Sequence, residues 1–297
     1  MLILWGFFLK LCIADKAAIV VNMVFDNYPL YSGIYVLVAG ILYSFQLYTD
    51  FLACTTLAQG VAGLVGIQLM DNFRRPYLAT SVKDFWRRWH ISLSSWLRDY
   101  IYIPLGGNRK GTLRKYVNLL IVFAVSGIWH GAGYKFVFWG LLHGAYQVAG
   151  GLLAPVNRFL SRKLALDAHP HCKRACQRIF TFALVMFAWI IFRADSLSAG
   201  LSMIASVFTV HNPWVLTNDA LFTLGLVWKE WAVLILCLAG LLAVGFVQEK
   251  GISIREKILQ ASLPVRWAIY IRAILFVLVF GTYGYGYDAQ AFIYGGF

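Results

Sequence analysis

Residues 231–247 read WAVLILCLAGLLAVGFV, seventeen consecutive positions without a charge or a proline. A helix needs roughly 20 apolar residues to cross about 30 Å of hydrocarbon, so this stretch and its flanks read as a membrane span. Working outward, comparable runs recur at 35–48 (continuing through 51–69), 117–129, 136–153, 179–192 and 267–283. Residues 1–25 are also apolar but are interrupted by Lys10, Asp15 and Lys16. With no basic leader and no small-residue cleavage site, they read as a membrane helix or its remnant rather than a secretory signal. Composition agrees: 60% of the 297 residues are hydrophobic and 13% charged, and the mean hydropathy is +0.69. That is more apolar surface than a soluble chain of this length can bury. The predicted fold class is all-α, a polytopic integral membrane protein. Without internal repeats or a long polar linker, 1–297 reads as a single membrane-embedded domain.

The net charge of +13 is unevenly placed. Arg74, Arg75, Lys83, Arg87, Arg88, Arg98, Arg109, Lys110, Arg114 and Lys115 crowd one connection, 71–115. The positive-inside rule puts that connection on the cytoplasmic side. A second cluster, from Arg158 to Arg178, lies two crossings later and gives the same orientation. The basic groups therefore suit topology, the lipid bilayer and anionic substrates, and nucleic acid is not an expected partner. Within 83–100, Phe85, Trp86, Trp89, Leu93, Trp96 and Leu97 recur at three- and four-residue steps, which predicts one basic amphipathic helix at the interface. In such a helix Trp86, His90 and Ser94 share a face. Residues 104–108, Pro-Leu-Gly-Gly-Asn, then make a turn.

Five cysteines, an odd number with three in apolar stretches, imply no disulfide framework. His169, His171, Cys172 and Cys176 match no standard zinc spacing, so no metal site is expected.

Polar groups at hydrocarbon depth carry the most information, because each is costly unless paired or facing a wet cavity. Counted from Tyr116 at about 1.5 Å per residue, His130 falls roughly 21 Å along its helix, past the membrane midplane. Its glycine-rich surroundings, 126–133, allow close backbone approach. A histidine bonded to a neighbouring helix is the alternative. His143, about ten residues into the next span, reads as a packing residue that can face His130. Gln46 and Asp50 line one face of an apolar helix, which makes Asp50 either a partner for a histidine or arginine or a helix-end carboxylate. The chain has no phosphate-binding loop, no nucleophile elbow and no H-E-x-x-H pair, so nucleotide hydrolysis, serine hydrolysis and zinc proteolysis lose their usual signatures.

The stretches Asp71-Asn72-Phe73-Arg74-Arg75-Pro76-Tyr77, Asp84-Phe85-Trp86-Arg87-Arg88-Trp89-His90-Ile91-Ser92-Leu93-Ser94, 96–100, 102–109 and Ser126-Gly127-Ile128-Trp129-His130-Gly131-Ala132 closely resemble the membrane-bound O-acyltransferase family. The closer likeness is to its bacterial branch that modifies polymers such as alginate and teichoic acid. Residues 192–196 and 291–294 are similar to that branch as well. The resemblance implies a helical bundle with a central funnel or tunnel in the bacterial plasma membrane. It also implies catalytic roles for His130, in Trp-His-Gly, and for His90, in Arg-Trp-His. The expected substrates are an acyl thioester at the cytoplasmic face, acetyl-CoA or acyl carrier protein, with no tightly bound cofactor. The acceptor is a hydroxyl on, or on the way to, an extracytoplasmic polymer, reached directly or through a partner acyltransferase protein.

On this reading His130 is the general base, and Arg87, Arg88, Arg98 and Arg109 bind the donor together with His90, while Trp129 and Asp50 contact substrate. Backbone N–H groups of 131–133 are the candidates for stabilising the oxyanion. Two features depart from the branch. Its members carry several helices ahead of the segment that resembles Gly6-Phe7-Phe8-Leu9-Lys10, so the chain reads as N-terminally shortened and lacking part of the tunnel wall. The branch also carries a second acid after Asp50, where this chain has Leu52-Ala53-Cys54-Thr55-Thr56. A transporter or flippase without covalent chemistry, and a non-catalytic fragment or scaffold, are the alternatives.

Overall fold

The structure, a computed structural model, describes residues 1–283; the terminal motif at 291–294 lies outside the described residues. In chain order the helices are α1 (Leu2–Phe7), α2 (Asp15–Phe25), α3 (Ile34–Leu64), α4 (Val82–Arg88), α5 (Ile91–Leu97), α6 (Gly111–His130), α7 (Tyr134–Leu152), α8 (Ala154–Lys163), α9 (Pro170–Arg193), α10 (Leu197–Thr209), α11 (Trp228–Glu249), α12 (Ile254–Gln260) and α13 (Leu263–Phe280). Among the described residues there is no strand. Helices α3, α6, α9, α11 and α13 are long and apolar enough to cross a membrane. The pair α7 and α8, bent by 59°, makes a sixth if taken as one broken span. The apolar runs of the sequence thus become the helices expected of them.

The described residues fall into two compact units, Met1–Met70 with the described part of the chain from Met203 onward, and Asp71–Ser202. In the first unit, α1 continues through a π-helical segment, Phe8–Ala14, into α2, and both helices pack on α3. The start of α3 has no side-chain cap of its own. Its orphan N–H groups are satisfied from the far end of the chain: Gly33 N–H donates to Ser206 Oγ (3.1 Å) and Ile34 N–H to Asn212 Oδ1 (3.0 Å). Asn212 also donates to the Ser32 carbonyl at 3.1 Å, locking the entry to the helix.

The second unit is built on the α6–α7 hairpin, with α9 and α4 packed against α7. Lipid offers no hydrophobic drive for two apolar helices to associate, so close van der Waals packing of small residues must do it. Gly127 and Gly140 meet here. A methyl group on Gly140 would collide with the Phe123 carbonyl oxygen, and one on Gly127 with the Phe136 carbonyl oxygen. These are backbone atoms that no rotamer change can move. Arg178 Nε donates to the Leu78 carbonyl (3.1 Å) and Lys135 Nζ to the Ala194 carbonyl (2.6 Å), tying α9 to the rest of the unit.

Gly140→Ala is expected to lower the stability of the detergent-solubilised chain by about 1–3 kcal/mol through overpacking. The control lies on the same helix. A methyl group on Gly150 would meet nothing within 4 Å, so Gly150→Ala is expected to be neutral or to stabilise by up to about 1 kcal/mol. Thermal unfolding of the two variants side by side is the measurement; equal behaviour would remove the special role of the crossing point.

Candidate functional site

His130 is the last residue of α6, which has 20 residues and begins five positions before Tyr116. At about 1.5 Å per residue the helix is about 30 Å long, with the histidine at its far end. Gly131 terminates the helix with φ +156°, and a side chain there would run into the Phe136 ring. His130 is buried, 6% exposed. Aromatic rings surround it: Trp129 at 4.8 Å between centroids, Trp139 at 5.1 Å and Phe192 at 5.2 Å, all edge-on. The same Trp129 ring lies 6.0 Å from His90. The two histidines singled out in the sequence are thus brought to contact one shared indole within the second unit.

His90 does not sit inside a continuous helix. The expected amphipathic helix over 83–100 is broken into α4, α5 and a π-helical turn, Arg98–Tyr102, so Trp86, His90 and Ser94 do not share one helical face. The break has a local cause. Residues 72–74 run beside the junction and take its backbone groups: Arg74 N–H donates to the Arg88 carbonyl (2.9 Å), and Ile91 N–H to the Asn72 carbonyl (3.0 Å). Ser92 N–H donates to Asn72 Oδ1 at 3.1 Å. His90 is left in the left-handed region, φ 44° and ψ 57°. That region is uncommon for a residue with a Cβ, and such strained positions cluster at functional sites. Burial pushes the His90 imidazole down to about 4, so the ring is neutral at neutral pH.

His143 is fully buried. Its Nδ1 accepts a hydrogen bond from Trp86 Nε1 at 3.2 Å, which joins α4 to α7. Its ring contacts Trp139 at 5.0 Å, and Trp139 in turn contacts His130, so His143 approaches His130 through an indole rather than directly. Trp139, Trp189, Trp89 and Phe85 complete an aromatic cluster. Among the described residues, Nε1 of Trp139, Nε1 of Trp189, Nε2 of His143 and Oγ of Ser126 are buried with no hydrogen-bond partner in the protein. Gly131 N–H, one of the expected oxyanion donors, is instead taken by the Ile128 carbonyl at 3.1 Å.

The remaining candidates are spread more widely. Arg87 and Arg109 are exposed. Arg88 pairs with Asp84 at 3.0 Å, one helical turn away. Arg98 pairs with Asp99 at 2.7 Å and holds that exposed carboxyl below its usual range. Trp129 is 54% exposed. Asp50 lies in the first unit, where it pairs with Lys10 at 2.7 Å. Lys10 also meets Asp15 at 2.9 Å. Lys10 and Asp15 had marked an interruption of the first apolar run; a buried charge has to find countercharge, and that requirement was the available sign that they pair inward. Cys172 and Cys176 are exposed, and among the described residues no three of His, Cys, Asp and Glu gather as metal ligands.

The family profile for MBOAT, the membrane-bound O-acyltransferase family, matches residues 1–194. The chain therefore belongs to the membrane-bound O-acyltransferase family. It is 40% identical over 213 residues to the probable alginate O-acetylase AlgI of Pseudomonas putida, covering 72% of this chain and 41% of that protein. It is 40% identical over 199 residues to the peptidoglycan O-acetyltransferase of Helicobacter pylori, covering 67% of this chain and 36% of the relative. With the teichoic acid D-alanyltransferase of Bacillus subtilis it shares 34% identity over 110 residues, 34% of this chain and 27% of that protein. The alignments with the alginate and peptidoglycan relatives thus span about two fifths of those proteins' own length.

Trp86→Phe keeps an aromatic ring but removes the donor to His143 Nδ1 in a fully buried setting. It is expected to cost about 1–3 kcal/mol, read as a lower unfolding temperature in detergent. A change within error would mean that the bond contributes nothing to joining α4 and α7.

Proposed function

We propose that this chain is an O-acyltransferase of the bacterial plasma membrane. It moves an acyl group, acetyl by preference, from a cytoplasmic thioester to a hydroxyl of an extracytoplasmic polysaccharide or cell-envelope polymer, directly or through a partner protein. The observation that carries the reading is His130, buried among aromatic rings at the end of α6 and sharing Trp129 with a strained, neutral His90. The names of the alginate and peptidoglycan relatives support acetyl as the group and a polymer as the acceptor.

In this mechanism the acceptor hydroxyl oxygen attacks the thioester carbonyl carbon while His130 takes the hydroxyl proton. A histidine suits the step because it titrates near neutral pH. The tetrahedral intermediate then collapses, the carbon–sulfur bond breaks, and the proton returns to the leaving thiolate. An ester and a free thiol are the products. Negative charge develops on the carbonyl oxygen, and donors preorganised in a water-poor site stabilise it best. The buried indole N–H groups of Trp139 and Trp189, which have no acceptor among the described residues, are the donors in this neighbourhood placed to serve it. Arg87 and Arg109, exposed on the basic connection, are the cations placed to meet the phosphates of coenzyme A or an acidic carrier protein. Arg88 and Arg98, each already paired with an aspartate, would have to exchange partners to take part.

Membranes carrying the chain, incubated with radiolabelled acetyl-CoA and then with acyl carrier thioesters, are expected to transfer label to envelope polymer. His130→Ala is expected to reduce that transfer by about 10²- to 10⁴-fold at unchanged membrane insertion. Unaltered turnover in His130→Ala would remove the proposed base; no transfer from any thioester would remove the proposed function.

A further inference from the structure

Trp86 fixes the protonation of His143. An indole N–H can only donate, so the His143 Nδ1 that lies 3.2 Å from Trp86 Nε1 is an acceptor and carries no hydrogen. A charged imidazole has hydrogens on both ring nitrogens, so this ring is neutral, and its one ring proton sits on Nε2. His143 Nε2–H is therefore a donor. It belongs to a fully buried residue and, among the described residues, meets no acceptor. The indole N–H groups of Trp139 and Trp189 are in the same position. The three rings contact one another, with centroids 5.0 Å apart for His143 and Trp139, 5.4 Å for Trp139 and Trp189, and 6.0 Å for His143 and Trp189. We infer that His143 is a third donor, with Trp139 and Trp189, in a buried site for an uncharged oxygen acceptor, the carbonyl oxygen of the acyl thioester, and that Trp86 is the residue that positions its ring for this.

The chemistry of the cluster selects what it can take. The other rings against His143 are those of Phe85, Trp86, Phe123 and Tyr146. None of them carries a charge at neutral pH, so a phosphate or a carboxylate entering here would find no countercharge among them, which is strongly unfavourable. An uncharged carbonyl gives up far less on leaving water, and N–H donors replace the hydrogen bonds it loses. Its oxygen gains negative charge as the thioester is attacked, and donors held ready by packed rings need no reorganisation at that moment. Trp139 contacts His130 at 5.1 Å as well as His143, so the site adjoins the proposed base. The sequence reads His143 as a packing residue; the Trp86 bond gives it a donor as well. The carbonyl as occupant rests on the proposed function. A water molecule offers the same acceptor chemistry without it, and the face of a neighbouring ring is the weaker alternative partner for an N–H.

Solid-state NMR of the full chain in lipid bilayers, with 15N-labelled histidine, reads both ring nitrogens, and the His143 signals are those missing in His143→Phe. The expected result is an unprotonated Nδ1 and a protonated Nε2, with the Nε2 hydrogen shifted downfield by a hydrogen bond to oxygen. A hydrogen held over a ring face is shifted upfield instead. Two arms separate the sources of the oxygen. Without ligand, magnetisation transfer from water to the Nε2 hydrogen identifies water as the acceptor. With acetonyl-CoA, a ketone analogue that cannot release its thiol, labelled with 13C at the carbonyl, a contact between that carbon and the Nε2 hydrogen is expected to replace the water signal. In acyl transfer His143→Phe is expected to lower kcat by about tenfold or more, with KM for the thioester within about twofold of the parent, and His143→Gln, which keeps an N–H donor, to recover part of the loss. A protonated Nδ1, an upfield Nε2 hydrogen in both arms, or bound analogue whose carbonyl stays away from Nε2 overturns the inference. Failure of acetonyl-CoA to bind removes the carbonyl as occupant and counts against the proposed function, while the arm without ligand still decides the tautomer and the oxygen acceptor.

Discussion

Backbone-to-backbone contact between α6 and α7 at Gly127 and Gly140 is the constraint on which the second unit depends. In a lipid environment two apolar helices gain nothing from avoiding solvent, so they associate through whatever shape lets their surfaces meet. Removing two side chains at the crossing lets the helices touch. The residues either side of the crossing are then forced together. Trp139 precedes Gly140 and His143 follows one turn after Trp139, so both face the same cluster, while His130 lies one turn beyond Gly127 and meets Trp139 edge to edge. The connection between the helices spans only residues 131–133, which stops them from sliding past one another.

The segment from α4 to α5 depends on that hairpin. Helices α4 and α5 have seven residues each, too short to be stable alone. Burial of Phe85, Trp86 and Trp89 in the aromatic cluster of α7 and α9 holds the first of them in place, and the Trp86–His143 bond sets its depth. Once α4 is fixed, the chain must turn before α5 can begin, and the left-handed His90 is that turn. The strain at His90 is therefore a consequence of tying α4 to the α6–α7 hairpin on one side and the start of α5 to Asn72 on the other. A histidine at such a turn is held more firmly than one on an exposed helix face, because both its neighbours are pinned.

Much of this was legible in the sequence, and what was not has a common physical reason. The spans were readable because crossing hydrocarbon demands a length and a composition that leave an unmistakable pattern. The turn at 104–108 was readable from its glycines, and Gly106 and Gly107 do adopt positive φ. His130 stood out through its depth in an apolar helix, and the family resemblance drew attention to it and to His90. The break at His90 was not readable, because the three- and four-residue periodicity of 83–100 persists straight through it. What interrupts the helix is a set of hydrogen bonds from Asn72, eighteen positions earlier, and periodicity within a window carries no information about them. The pairing of Asp50 with Lys10, forty positions apart, escaped for the same reason. Local pattern identifies which polar residues need a partner; only the tertiary fold selects it.

The two units handle their buried polarity in opposite ways, and the contrast bears on where chemistry can occur. In the first, Lys10 sits between Asp15 and Asp50 within hydrogen-bond distance of both, so its charge is met inside the protein. An intramembrane aspartate would ordinarily be the first residue to suspect of function, but this one is engaged. In the second unit the buried side chains of Trp139, Trp189 and Ser126 near His130 are uncharged by nature, and among the described residues their donors have no acceptor. A donor without an acceptor is costly in the resting protein and becomes favourable only when an oxygen arrives. That arrangement suits a reaction whose charge appears on an oxygen and then disappears, since neutral donors can stabilise the transient anion without carrying a permanent charge into the membrane.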